Sequence, residues 1–284
     1  MGPTIYTYNL GPTPVEVDRL EFQHRAVFKP LTDGLLPTDI RQYLASLGRA
    51  PAVADIATGT GVWLSDMATE FPPDARLDGY DVEPAKFPPA SQLPPNVKLS
   101  PCDVLLPFAE DLHGQYDLVH VRLLITALNA EQWPIVAANL RSLLRPGGYL
   151  LWAESGYPSI SCLPMTEHFQ KLINVEVRYA AAIGRDITAP ANLLQHVKSQ
   201  GYTDCYQTSF STYGKGKVIQ DLAGRTMLST LRQGLLGMVL QGGFDWVKST
   251  RDVEDIMGLV QRDLENGVCA VGFEVHCIIG RQPS

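Results

Sequence analysis

Short apolar runs alternate with amphipathic stretches from Val53 onward. AVADIA, RLDGYD, VKLS, YDLVHV and YLLWAE read as strands, and VWLSDMATEF and EQWPIVAANLRSLL between them carry apolar residues at helical spacing. In the second helix Trp133, Val136, Ala137, Leu140 and Leu144 share a face, and Arg145-Pro146-Gly147-Gly148 ends it. This rhythm predicts an α/β protein with a doubly wound, mostly parallel sheet and helices on both faces.

Beyond Glu154 the rhythm changes. Helical patterns cover 165–182 and 190–200, CYQTSFSTY reads as a strand, and long helical stretches occupy 217–241 and 250–265. In the closing VCAVGFEVHCIIG, Cys269, Val271, Phe273, Val275, Cys277 and Ile279 form one apolar face at period two. This strand therefore returns to the sheet as an antiparallel last strand, and the helical insertions fall at about 157–200 and 217–265. Residues 1–30 open with turn formers (Gly11, Pro12, Pro14) and become helical from Pro14 to Lys29. They are expected to form an N-terminal lid ahead of the main domain, 31–284.

With 284 residues, 45% hydrophobic, the chain can bury one substantial core. A net charge of −7 and the lack of a basic run argue against a nucleic-acid partner. The five cysteines are scattered, with no C-x-x-C pair, and read as reduced thiols of a cytoplasmic protein. MGPTIYTYNL is no signal peptide, and no apolar stretch has the length of a membrane span.

The chemistry concentrates in Asp55-Ile56-Ala57-Thr58-Gly59-Thr60-Gly61, where a strand runs into a glycine turn that opens a helix. Such a turn brings backbone amides close to a ligand. A dinucleotide site would want G-x-G-x-x-G, but the third glycine position is Leu64. A carboxylate at Asp55 would repel a pyrophosphate and suits a cationic ligand. Asp81 ends the next strand, at the spacing where an acidic residue meets ribose hydroxyls. S-adenosylmethionine, with an ammonium, a sulfonium and no phosphate, fits this pair better than NAD.

Asp55-Ile-Ala-Thr-Gly-Thr-Gly61 resembles the first motif of class I methyltransferases, and Gly79-Tyr-Asp81-Val82 their ribose-binding motif. Cys102-Asp103-Val104, Tyr116–Arg122 and Leu144–Tyr149 are similar to later motifs of the same family. Gln23-His24, Gly59-Thr-Gly-Val-Trp63, His120-Val-Arg122 and Gly184-Arg-Asp186 resemble the fungal secondary-metabolism group related to the LaeA-type regulators. The resemblance implies a Rossmann-like methyltransferase fold with S-adenosylmethionine as cofactor and a small-molecule acceptor. It assigns the methionine moiety to Asp55, Ala57, Thr58, Gly59 and Gly61, the ribose to Asp81 beside Val82, the adenine to Asp103 and Val104, and the methyl end to Arg122. Ala57 departs from the family's glycine, which is expected to hold that position at φ < 0.

Methyl transfer is a displacement at sulfonium carbon, helped by alignment and, for a hydroxyl acceptor, by a base. His120, His24 and Arg122 are the candidates. His120 lies within a strand and reads first as a satisfied buried histidine, then as a base. Arg122 is expected past the strand end, over the crevice, as an acceptor-binding cation or as a surface ion pair. His24 and Gln23 sit on the lid, with Tyr6 and Tyr8 ahead of them. His168 and Tyr179 belong to the inserted helices, His276 to the last strand's polar face, and Trp63 to the core. No metal constellation assembles. The function expected is methyl transfer to O, N or S of a hydrophobic small molecule of secondary metabolism. The alternatives are a cyclase of the pericyclase type that keeps the bound sulfonium, and a LaeA-like regulator.

Overall fold

In a computed structural model, which describes residues 13–284, the alternating segments build one mixed sheet. Its strands are β1 (Ala52–Ile56), β2 (Arg76–Asp81), β3 (Val97–Pro101), β4 (Tyr116–Arg122), β5 (Leu144–Glu154), β6 (Ile160–Leu163), β7 (Thr203–Ser211) and β8 (Ala270–Arg281). The order is β3-β2-β1-β4-β5-β8-β6, with β7 on the other edge of β8. The first five strands pair in parallel, and β8 runs antiparallel to β5, β6 and β7. All five residues of β1 are buried, as a central parallel strand covered on both faces requires.

Two apolar layers flank the sheet. On one side α5 (Gln132–Leu143) and α7 (Ala189–Ser199) pack together. The spacing of Ala189, Leu193 and Val197 puts all three on one face, against α5 and the sheet. The later half of the expected 157–200 insertion is thus a covering helix of the sheet. On the other side lie α3 (Thr38–Ala45), α4 (Val62–Met67), α6 (Glu167–Ala182), α8 (Lys217–Leu240) and α9 (Thr250–Glu265). The apolar face of β8 reaches the same layer through Cys269, Val271, Phe273, Val275, Cys277 and Ile279.

The N-terminal segment joins this second layer. α1 (Pro14–Phe22) starts at a Thr13 cap, widens into a π-helical turn (Gln23–Phe28) and continues as α2 (Lys29–Leu31). Pro30 offers no N–H and its ring would crowd the carbonyl of Ala26, so a wider turn just ahead of it relieves the helix. Val27, Phe28 and Leu31 are buried in the core, so a division at residue 30 falls inside a continuous packed segment. Tyr6 and Tyr8 lie outside the described residues.

Candidate active site

The turn after β1 is fastened to β2. The Thr58 amide donates to the Tyr80 carbonyl at 3.0 Å, and the Gly59 amide donates to Asp81 Oδ2 at 2.8 Å. Gly59 and Gly61 have φ of 59° and 75°, and Ala57 has φ of 55°. The expectation of φ < 0 at Ala57 is therefore corrected. These bonds hold an alanine left-handed, a conformation that costs roughly 1–2 kcal/mol. A side chain at Gly61 would stand 2.9 Å from Leu99, so space as well as φ selects glycine there.

Asp81 is buried at the end of β2, with its other oxygen accepting from the Glu83 amide at 2.9 Å. Desolvation raises its pKa, opposed by those two amides. A buried carboxylate oriented by backbone donors keeps lone pairs for further donors, which a ribose diol supplies.

Asp55 has both oxygens engaged inside the protein. One accepts from the Thr58 hydroxyl at 2.6 Å, and the other pairs with His120 Nδ1 at 2.7 Å. The His120 ring stacks on Trp63 at 3.9 Å between centroids and is buried. Burial lowers its pKa, with Asp55 opposing the shift. This geometry makes His120 a prop under the turn.

Arg122 departs from its expected position. It is the last residue of β4, paired with Ala153 of β5, and strand alternation puts it on the same face as His120 and Leu118. It therefore points towards the N-terminal layer, with its guanidinium 4.9 Å over the Phe28 ring and Nη1 3.2 Å from His24 Nδ1. His24 also meets Asp66 through Nε2 at 3.3 Å, while Lys29 binds the same carboxylate at 2.7 Å. Burial first, and Arg122 second, bring the His24 pKa down to about 3. The neutral ring accepts from Arg122 at Nδ1 and donates from Nε2 to Asp66.

Above the turn opens a cavity of about 380 Å³, within the range of small-molecule sites. Ala57, Thr58, Gly59, Asp81, Val82, Val104 and Arg122 line it, with Cys102 beside Val104. Asp55, Gly61, Asp103, His24 and His120 are not on its wall. Asp103 Oδ1 accepts from the Leu105 amide and shapes the segment that carries Val104. His24, His120 and Arg122 face a second cavity under the sheet, which Arg122 separates from the first. His168 pairs with Asp263 of α9, and His276 bonds Ser159 and Ser209 at the sheet edge.

The far end of the main cavity is a chamber. Phe28, Ile160, Met227, Leu231 and Phe273 supply apolar wall, and Tyr157, Glu176, Tyr179 and Arg185 supply polar groups. Arg19 of α1 covers it, reaching Thr230 of α8 at 3.2 Å while gripping buried Glu16, and Leu20 lines the cavity beside Gly59 of the turn. Arg19, Tyr157 and Glu176 escaped the sequence reading. For Glu176 a signal existed: it stands on the face of α6 that carries Phe169, Leu172 and Ala180.

The residues present fit S-adenosylmethionine in their chemistry, with a buried carboxylate at the ribose position and apolar Ile56, Val82 and Val104 for a flat ring. Residues 53–148 match the family described as methyltransferase domain. Methyltransferase grgD of Penicillium sp is 30% identical over 230 residues, covering 77% of each chain. Secondary metabolism regulator LAE1 of Gibberella fujikuroi is 34% identical over 204 residues, covering 70% of this chain and 61% of that one. Phosphoethanolamine N-methyltransferase 2 of Haemonchus contortus, solved with S-adenosyl-L-methionine, superposes with a TM-score of 0.51 at 15% identity. The superposition covers 96% of this chain and 58% of that one, and shows the fold. The chain belongs to the class I S-adenosylmethionine-dependent methyltransferases. It is an enzyme of S-adenosylmethionine-dependent methyl transfer, and the cyclase and regulator alternatives are not favoured, because the relative matched over 77% of both chains is named a methyltransferase.

Proposed function

We propose that the enzyme methylates O, N or S of a hydrophobic small molecule of secondary metabolism. The observation that carries this reading is the chamber continuous with the Asp81 end of the cavity, apolar on Phe28, Met227, Leu231 and Phe273. In this reading Ala57, Thr58, Gly59, Asp81, Val82 and Val104 hold the cofactor, and Asp55, Gly61 and Asp103 fix the segments that do so. Bound S-adenosylmethionine supplies an electrophilic methyl group, and the chamber positions the acceptor's lone pair against it. His120 and His24 are positioning residues, and Arg122 joins their network to the wall.

The lid in this proposal is α1, tied down by Arg19, while residues from Val27 onward belong to the main domain. No described helix is long and apolar enough to cross a membrane. The five cysteines are free thiols, which suits the cytoplasm. Two relatives are named N-methyltransferases, of Claviceps purpurea and Clonostachys rogersoniana, so amine and amide acceptors come first in the test. The enzyme is incubated with methyl-deuterated cofactor and a set of hydrophobic amines, amides, phenols and thiols, each beside a hydrophilic counterpart. A labelled product of one class supports the proposal. Label found only on hydrophilic acceptors overturns it.

A further inference from the structure

We propose that Glu176 is a catalytic residue whose Oε1 accepts the N–H or O–H of the group being methylated and takes its proton. The inference rests on reading the chamber as the acceptor site. Glu176 is 3% exposed and lies on the chamber wall. Its Oε2 accepts from the Tyr157 hydroxyl at 3.3 Å, and its Oε1 has no hydrogen-bond partner among the described residues. An unmet buried acceptor is costly, and a leucine on this face of α6 would avoid it. Opposite stands Gly234 of α8, where a Cβ would fall 2.5 Å from Oε1. Glycine makes the room that the carboxylate occupies against α8.

The contrast with Glu154 is informative. Glu154 is as deeply buried and also leaves one oxygen, Oε2, without a partner among the described residues. But its Oε1 accepts from the Leu124 amide and the Trp152 indole, and it does not line the chamber. That carboxyl holds the chain together after β4. At Glu176 burial pushes the pKa up to about 8, and Arg185 and the Tyr157 hydroxyl pull it back. A carboxylate so placed is a stronger base than an ordinary one. In the step, the acceptor heteroatom forms a bond to the methyl carbon as the carbon–sulfur bond breaks. The bond pair stays on sulfur, leaving the thioether, and the heteroatom's proton passes to Glu176 Oε1.

The test uses three probes of one shape, 2-phenylethylamine, 2-phenylethanol and propylbenzene, bound to the protein loaded with S-adenosylhomocysteine. The two probes with a donor are expected to bind about tenfold or more tighter than propylbenzene, the worth of a hydrogen bond to a charged group. Glu176→Leu should abolish that advantage while S-adenosylhomocysteine binds unchanged. The 2-phenylethanol advantage should grow as pH rises through about 8. It should be flat with pH in Glu176→Gln and shifted to higher pH in Tyr157→Phe, which loses a bond that lowers the Glu176 pKa. Three probes that bind alike, or an advantage that survives in Glu176→Leu, overturn the assignment alone. If no probe binds, the chamber reading fails and this inference with it. Should Glu176→Leu not fold, the pH series in Glu176→Gln decides: a response like the wild type's overturns the proposal.

Discussion

Ala57 at φ 55° shows how one residue records the demands of its neighbours. The turn needs a left-handed residue there, and the amides of Thr58 and Gly59 are bonded to β2 only in that conformation. Ala57→Gly should therefore keep cofactor affinity and raise stability by about 1 kcal/mol, part of the strain being offset by glycine's greater freedom when unfolded. A thermal melt checks it, and a lower melting temperature would mean the alanine methyl contributes packing. His120 and Arg122 make a second residue-scale pair. His120→Ala removes the Trp63 stack and leaves Asp55 Oδ1 buried and unpaired, a loss of about 2–3 kcal/mol. At roughly 2–4 °C per kcal/mol for a chain of this size, the melt should fall by about 5 °C or more, with activity kept at low temperature. Arg122→Ala should lower both the melting temperature and kcat/KM, because the guanidinium packs on Phe28 and also lines the cavity. Melts and rates measured side by side separate the two variants. A native melt with abolished turnover in His120→Ala would make the histidine a base.

Among the elements, α1 and the segment that follows it differ in kind. α1 covers the cavity, with Arg19 at the chamber and Leu20 beside the Gly59 turn, whereas Val27, Phe28 and Leu31 are core. A variant lacking residues 1–22 should fold and lose affinity for the cofactor. A variant lacking residues 1–31 should not fold, since three buried large side chains go with it. Circular dichroism and calorimetry on both test this, and a stable fold without residues 1–31 would contradict it. Seven of the eight strands were legible from short apolar or alternating segments, but β6 was not, because ISCL is a four-residue strand inside a stretch read as a helical insertion. RLDGYD coincides with β2, and the apolar face foreseen for β8 is buried throughout. α7 was legible as a helix but not as a cover for the sheet, because one apolar stripe does not say which neighbour it meets. The carboxylates of the turn were likewise legible as a set. That Asp55 props while Asp81 lines the cavity depends on pairing with His120 and Thr58, which sequence spacing does not encode. Arg122 was expected past the strand end, but β4 runs one residue further than its apolar run, so alternation points it towards the N-terminal layer while its guanidinium still lines the cavity.

For the whole molecule, buried titratable groups set a stability optimum. His24 drops from 6.5 to about 3 on folding, so its contribution is full above 6.5 and is lost as pH falls towards 3. Glu154 and Glu176 rise from 4.5 to about 7 and about 8, so theirs is full below 4.5 and is lost as pH rises through those values. Between 4.5 and 6.5 the two carboxyls outweigh the one histidine, so these three groups place the optimum near pH 4.5. The melting temperature should fall from there towards 3 and, on the alkaline limb, towards 8. Glu176→Gln should flatten the alkaline fall, and an unchanged alkaline limb in that variant would show that Glu176 does not titrate there. The account as a whole stands on the Asp81 end of the cavity being the cofactor site. Calorimetry of S-adenosylhomocysteine on the wild type and on Asp81→Ala, with NAD as the competing ligand, tests it most directly. The wild type should bind in the micromolar range or tighter and NAD far more weakly. Asp81→Ala should lose ~1.5–3 kcal/mol of affinity, about ten- to a hundredfold, while keeping a native circular dichroism spectrum. Unchanged affinity in a folded Asp81→Ala protein, or tighter binding of NAD, would contradict the account.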